Sequence, residues 1–193
     1  AVISEISALA KTHPNFEIVP GLPDTSAVPT YAGLPLGSSH TVADVRGDVD
    51  WAALAAAPGP LILHATASHL PDAARTLIEY GLADSTPAVV TANGTTCQQR
   101  SVEPTLAGLI AKTPQASAEQ VGAPAGLLTS PLVVTIGKTV TNRAKLNWWE
   151  SRALYGWTVL VPRTKDQAGE MSDRLVGHGA LPIEVPTIAV EPP

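Results

Sequence analysis

Three short runs constrain this chain most: Leu61-Ile62-Leu63, Ala88-Val89-Val90 and Leu132-Val133-Val134-Thr135-Ile136 are almost wholly apolar. A strand that is apolar on both sides has to be covered on both faces, as in sheets flanked by helices. The covering material lies between the runs. Leu70, Ala73, Ala74, Leu77 and Ile78 trace one helical stripe, with Pro71 tolerated in the first turn and Gly81 placed to end it. Val102, Leu106, Leu109 and Ile110 mark another helix, and Ile3, Ile6, Leu9 and Ala10 recur at the same spacing over residues 3 to 12. Strands alternating with helices in this way define an α/β fold.

The connecting stretches carry their own signals. Phe16 to Val19 reads as a short strand. Residues 19–40, VPGLPDTSAVPTYAGLPLGSSH, hold four prolines and three glycines and predict an ordered loop with a short helix. Fixed and freed φ angles there make a rigid backbone surface on which a flat ligand can rest. Thr41 to Arg46 alternates as an exposed or edge strand does, and Asp50 can cap a short helix, Trp51 to Ala57, ended by Gly59-Pro60. The turn Asn93-Gly94-Thr95 follows the strand at 88–90, and residues 112–130, rich in Ala, Pro, Gly, Ser and Gln, read as a loop. After Gly137 a helical stretch runs to about Leu146 and leads to Trp148-Trp149, a packing anchor between two halves. The pattern then restarts. Trp157 to Val161 is a strand, Thr164 with Gln167 forms a capping box, and Ala168, Met171 and Leu175 face inward until Gly177 stops the helix. Ile183 to Val190 returns as an extended segment interrupted by Pro186.

With 193 residues, 45% of them hydrophobic, the chain can bury a real core. No apolar run approaches the roughly 18 residues of a membrane helix and no basic-then-apolar leader is seen, so a cytoplasmic protein without membrane contact is expected. The single cysteine, Cys97, excludes an internal disulfide and a cysteine-built metal site. Net charge is −5 and the basic residues are scattered, which leaves no electrostatic footprint for nucleic acid. The chain opens at Ala1 inside a helical pattern and stops directly after an extended segment, so a piece of a longer protein is expected.

No complete catalytic constellation is visible, and the catalytic residues stay unassigned. Ser38, Ser39 and His40 put a nucleophile beside a base, but adjacent residues rarely aim at one another and no G-x-S-x-G elbow exists. His64 and His69 flank a strand end without the i, i+4 spacing of a helical metal pair, so no metal site is expected. The phosphate-binding patterns G-x-G-x-x-G and G-x-x-x-x-G-K-[ST] are absent.

Five segments together carry more. VPG at 19–21, YAGLPL at 31–36, LILHA at 61–65, TPAVVTANGTTCQQR at 86–100 and PLVVTIGKTVTNRAKLNWWE at 131–150 follow one another over about 130 residues. In order and spacing they resemble the C-terminal half of the uroporphyrinogen-III C-methyltransferases, which belong to the tetrapyrrole methylases. From Leu154, the segment LYGWTVLVPRTKDQAGEMSDRLVGHGALPIEVPTIAV is similar to the opening β-α-β of uroporphyrinogen-III synthase. The resemblance divides the chain into residues 1–150, a methylase C-terminal part with a mixed sheet and flanking helices, and residues 151–193, the start of a synthase-like domain.

The resemblance implies S-adenosylmethionine as cofactor, a tetrapyrrole substrate and a homodimer. The implied reaction is C-methylation of uroporphyrinogen III to precorrin-2, on the way to sirohaem or cobalamin. Pro20, Gly21, Pro23 and Asp24, the strand-end Ala65, Val89, Gly94, Thr95 and Gly137 are then expected on the cofactor side of one cleft, and Ser38, Ser39 and His40 on the substrate side. Further cofactor contacts belong to a glycine-rich first domain outside these residues. The chemistry asks little of acids and bases, because positioning and exclusion of water supply most of the rate. Three departures accompany the match. Gly37-Ser38-Ser39-His40 stands where the family usually has Thr-His-Arg, Pro23-Asp24 where it has small residues, and His64-Ala65-Thr66 where it often has Tyr-Met-Gly. They give the alternative reading, a methylase-like scaffold that no longer catalyses and is fused to a working synthase.

Overall fold

The computed structural model describes residues 2–12, 17, 19–111, 131–162 and 165–185. In chain order these form α1 (Val2–Thr12), α2 (Asp24–Tyr31), β1 (Thr41–Asp44), α3 (Trp51–Ala56), β2 (Leu61–Ala65), α4 (Leu70–Glu79), β3 (Ala88–Ala92), β4 (Arg100–Val102), α5 (Leu106–Ala111) and β5 (Leu132–Ile136). A 3₁₀ turn (Lys138–Asn142), a single α-turn, α6 (Arg143–Leu146), and then β6 (Thr158–Val161), α7 (Lys165–Gly177) and β7 (Leu181–Glu184) complete the order.

The first five strands make one mixed sheet in the order β1-β2-β5-β3-β4. β1 and β2 are parallel, while β5 runs antiparallel to both β2 and β3, and β4 antiparallel to β3. The three apolar runs therefore lie side by side at the centre. Alternate residues of each point to opposite faces. Leu61, Leu63 and Ala65 of β2, Ala88, Val90 and Ala92 of β3, and Leu132, Val134 and Ile136 of β5 form one cluster with Leu54, Leu70, Ala73, Ala74, Leu77, Leu106 and Leu109 of α3, α4 and α5. On the other face Val28 and Leu36 pack on Ile62 and Val133, and Ala32, Leu34 and Val140 on Val89.

Local signals explain the helix ends. Asp50 Oδ1 accepts from the Ala53 amide at 3.0 Å, as a cap should. α4 stops at Tyr80, and Gly81 adopts φ +105, a backbone open to glycine and costly for other residues. β1 is an edge strand with alternating exposure.

Four expectations change. Val102 belongs to β4 and not to the following helix, because Val90 pairs with it across the ladder. The stretch after Gly137 tightens into a 3₁₀ turn before α6. Met171 is exposed and Ser172 is buried in its place, its hydroxyl bonded to Glu184. Val19 is irregular and 81% exposed; Phe16 and Ile18 of the expected strand lie outside the described residues. So do the loop at 112–130, Thr164 of the capping box, and the extended segment beyond Val185.

β6 and β7 pair in parallel on either side of α7, with Val161, Ala168 and Ala180 buried among them. The two tryptophans tie this unit to the first sheet. Tyr31 meets Trp148 at a tilt and Trp149 edge-on, with ring centroids 5.1 and 4.7 Å apart, and the Arg152 guanidinium lies 4.0 Å over the Trp149 ring.

Candidate functional site

α2 crosses the face of the sheet that carries Ile62 and His64 of β2, Val89 and Thr91 of β3, and Val133 and Thr135 of β5. Pro23 is its extended N-cap, and the Pro23 carbonyl accepts from the Ser26 and Ala27 amides at 3.0 Å. Asp24 therefore opens the helix, where the exposed amides of a helix start favour a negative charge. His64 Nε2 lies 3.2 Å from Asp24 Oδ1, the histidine side chain 19% exposed and the aspartate 57%. His64 is also level with Asp44 in the β1–β2 ladder. The Arg46 guanidinium, with Nε at 2.7 Å and Nη2 at 2.6 Å, holds the Asp44 carboxyl down at about 2. His69, by contrast, is satisfied within its own turn by Thr66 Oγ1 at 2.6 Å.

The loop after β3 is the most constrained backbone nearby. Asn93 and Thr95 are the two non-glycine residues at positive φ among those described, at 49° and 68°. For a β-branched threonine this is a true outlier, and it persists only where surroundings over-determine it. Gly94 between them lies against Val28 of α2 so closely that a Cβ would overlap the valine methyls. The hold comes from behind. The Thr95 amide donates to Gln99 Oε1 at 2.8 Å, and Thr96 Oγ1 donates to the Asn93 carbonyl at 2.7 Å.

Gln99 is wholly buried and belongs to a polar network that no sequence signal announced. Its Nε2 donates to Glu150 Oε1 at 2.8 Å, and Ser101 Oγ donates to the same oxygen at 2.7 Å. Arg143, only 8% exposed, reaches Glu103 Oε1 at 2.7 Å and Glu150 Oε2 at 2.5 Å. Trp149 Nε1 donates to the Thr96 carbonyl at 2.9 Å, and the Tyr155 hydroxyl to the Gln99 carbonyl. Burial, reinforced by the Glu150 carboxylate, pushes the Tyr155 phenol up to about 12. Segment 148–155 thus fixes the Asn93–Gln99 loop, which in turn presents Gly94 to α2. A cleft of about 540 Å³ borders this network, lined by Arg100, Glu150, Tyr155 and Trp157 among others.

The residues expected to line one cleft fall into two groups. Asp24, the strand end at Ala65, and Gly94 and Thr95 gather where β2 and β3 end, with Pro23 capping α2 beside Asp24 and Pro20 and Gly21 exposed ahead of it in the chain. Gly137 lies at the other end of the sheet, its amide bonded to the Pro87 carbonyl at 2.9 Å, where a Cβ would meet Pro60. Ser38, Ser39 and His40 are exposed at that same end, ahead of β1, with Ser39 against Gly59. The length of a five-residue strand, about 13 Å, separates the groups. The Ala65 side chain points into the cluster under α4 and α5, and Val89 is sealed beneath Ala32, Leu34 and Val140, so both present a ligand with backbone alone.

Comparison with known proteins places this architecture. The sequence model of the family described as Tetrapyrrole (Corrin/Porphyrin) Methylases matches residues 1–110. The chain belongs to this family. It is 31% identical over 157 residues to siroheme synthase 2 of Serratia proteamaculans, covering 77% of this chain and 31% of that protein. With the siroheme synthase of Azotobacter vinelandii it shares 36% identity over 158 residues, 77% of this chain and 32% of the other. The chain thus spans about a third of the length of these relatives. Among solved structures, the uroporphyrin-III C-methyltransferase of Thermus thermophilus, complexed with S-adenosyl homocysteine, superposes with a TM-score of 0.52 at 18% identity, over 72% of this chain and 59% of that one. This last likeness is one of fold. Among the described residues no helix of this tetrapyrrole methylase is long and apolar enough to cross a membrane.

Proposed function

We propose that this tetrapyrrole methylase forms the cofactor-holding part of an S-adenosylmethionine-dependent enzyme that C-methylates uroporphyrinogen III. The observation that carries the reading is the seat at the ends of β2 and β3, where strained backbone, a glycine pressed on a helix and an open carboxylate converge. These residues suit the cofactor. Pro20 to Pro23 are exposed and conformationally restricted, Leu22 is 89% exposed, and Asp24 offers negative charge to a positively charged molecule. When bound, S-adenosylmethionine supplies an electrophilic methyl on a sulfonium sulfur, which a pyrrole carbon displaces in line.

The chain's own residues bind and orient. The Gln99–Glu150–Arg143 network holds Asn93 and Thr95 in their costly conformation before any ligand arrives, so binding spends nothing on ordering that loop. Val28 against Gly94 fixes the distance between α2 and the loop. Leu22 and Val19 stand exposed just ahead of α2 and are free to cover a bound cofactor.

The reading extends to a homodimer in the cytoplasm and to residues 151–193 as the opening of a uroporphyrinogen-III synthase-like domain, for which the parallel β6-α7-β7 unit is the supporting feature. A second reading has its own observation: Ala65 is wholly inside the core, so this position offers no side chain to a cofactor. It makes the domain a scaffold for the synthase. The test is anaerobic incubation of the full-length protein with uroporphyrinogen III and methyl-labelled S-adenosylmethionine. Label in the tetrapyrrole is the expected outcome; no transfer alongside intact synthase activity overturns the methylase reading in favour of the scaffold.

A further inference from the structure

Two polar side chains from distant parts of the chain touch one another at the seat. Asp24 and His64 lie on different elements, forty residues apart, and meet at 3.2 Å at the mouth of the seat. The contact is asymmetric. His64 is mostly enclosed between α2 and β1, while more than half of the Asp24 side chain faces solvent. Only Oδ1 of Asp24 has a protein partner among the described residues, so Oδ2 is open to a ligand. A half-exposed polar contact of this kind contributes about 1 kcal/mol at most, so fold stability is a weak reason for it.

The charges around it sharpen the point. Asp44, level with His64 on β1, is consumed by a two-nitrogen contact with Arg46. Among the described residues no lysine or arginine makes an ion pair with Asp24, and Arg46, close enough to feel the Asp24 charge, is held by Asp44. A carboxylate that is oriented by an imidazole, lifted to the start of a helix and left with one free oxygen is arranged to meet an incoming positive charge.

Building on the cofactor reading above, we propose that Asp24, aimed by His64, reads the sulfonium charge of S-adenosylmethionine and distinguishes the charged cofactor from its neutral thioether product. S-adenosylmethionine and S-adenosylhomocysteine share the adenosine, the ammonium and the carboxylate, and differ in the methyl that makes the sulfur positive. A carboxylate near the sulfur therefore favours the first alone, whereas one near the ammonium favours both.

The test is calorimetric titration of both compounds into the full-length protein and its Asp24→Asn, Asp24→Glu and His64→Gln variants at one pH and salt concentration. Asp24→Asn keeps the shape and the acceptor for His64 and removes only the charge. It is expected to weaken S-adenosylmethionine about tenfold more than S-adenosylhomocysteine, the weight of one partly desolvated charge pair. Asp24→Glu is expected to restore part of the preference. His64→Gln, which removes the imidazole that aims the carboxylate and leaves the carboxylate itself in place, is expected to reduce the preference less than Asp24→Asn does. Equal weakening of both compounds overturns the assignment to the sulfonium, as does no change in either. Failure of both to bind the unaltered protein overturns the cofactor reading itself, a different result. Coincident thermal unfolding of the unaltered protein and Asp24→Asn separates all of these from misfolding.

Discussion

The two faces of the five-stranded sheet come from neighbouring residues of the same strands and are chemically unlike. Toward α3, α4 and α5 the strands send Leu61, Leu63, Ala65, Ala88, Val90, Ala92, Leu132, Val134 and Ile136, without one polar atom. Toward α2 they send Ile62, His64, Val89, Thr91, Val133 and Thr135, and β4 adds Ser101, bonded to Thr91 at 3.1 Å. The first face stabilises by removing apolar surface from water and tolerates no ligand. The second is held by directional bonds and close backbone approaches, which fix positions more sharply than apolar contact does. A domain that needs both a core and a preorganised seat has assigned them to opposite sides of one sheet.

The comparison can be broken by substitution. Leu77→Ala, on the helix side, removes a wholly buried side chain and is expected to cost about 4 kcal/mol in denaturant unfolding, with the Gly94 loop keeping its geometry. Glu150→Ala leaves the buried Arg143 guanidinium with Glu103 alone, strips Gln99 and Ser101 of their acceptor, and is expected to cost about 3 kcal/mol. Unlike Leu77→Ala, it should also release the Asn93–Gln99 loop, read as faster amide exchange at Thr95. Replacing Glu150 and Arg143 together by apolar residues should recover most of the stability and not the loop order. Gly94→Ala drives a methyl into Val28 and is expected to cost about 2 kcal/mol while lowering S-adenosylhomocysteine affinity by a larger factor than Leu77→Ala lowers it.

The smallest effect is one of pH. Tyr155 keeps its proton to about 12 in the folded protein, against about 10 in an unfolded chain. Its contribution is complete below pH 10 and is lost as pH rises from 10 toward 12, because the unfolded chain gives up the proton first. Phenolate absorbance should show one of the three tyrosines titrating late, and Tyr155→Phe should remove that step and flatten the alkaline loss of stability. A late step that survives Tyr155→Phe would assign it to Tyr31 or Tyr80 and break the link between segment 148–155 and the Gln99 loop.

Much of the helix side was legible beforehand. The stripe Leu70, Ala73, Ala74, Leu77 names one face of a helix outright, and Asp50 names a cap. The central strands announced themselves by being apolar throughout, and that same property hid which residue faces which way: with both faces buried there is no alternation to read. Ala65 could thus be expected at a cofactor and belong to the core. The three-residue β4 was invisible because its stability comes from pairing with β3 and not from its own residues. The Gly94 seat was half legible: the glycine-containing turn stood out, but the clamp behind it did not, since Gln99, Arg143 and Glu150 look like any surface residues until the fold buries them.

By itself the sequence determined the α/β class, the order of the central elements and the family, because periodicity and local motifs are written over a few adjacent residues. The tertiary structure alone decided that Asp24 meets His64, that Gln99 meets Glu150, and that Gly137 and Ser38 to His40 lie at the far end of the sheet from Gly94. Those are relations between distant parts of the chain. They follow from strand order and direction, which place β5 antiparallel between β2 and β3, and no local pattern encodes that arrangement.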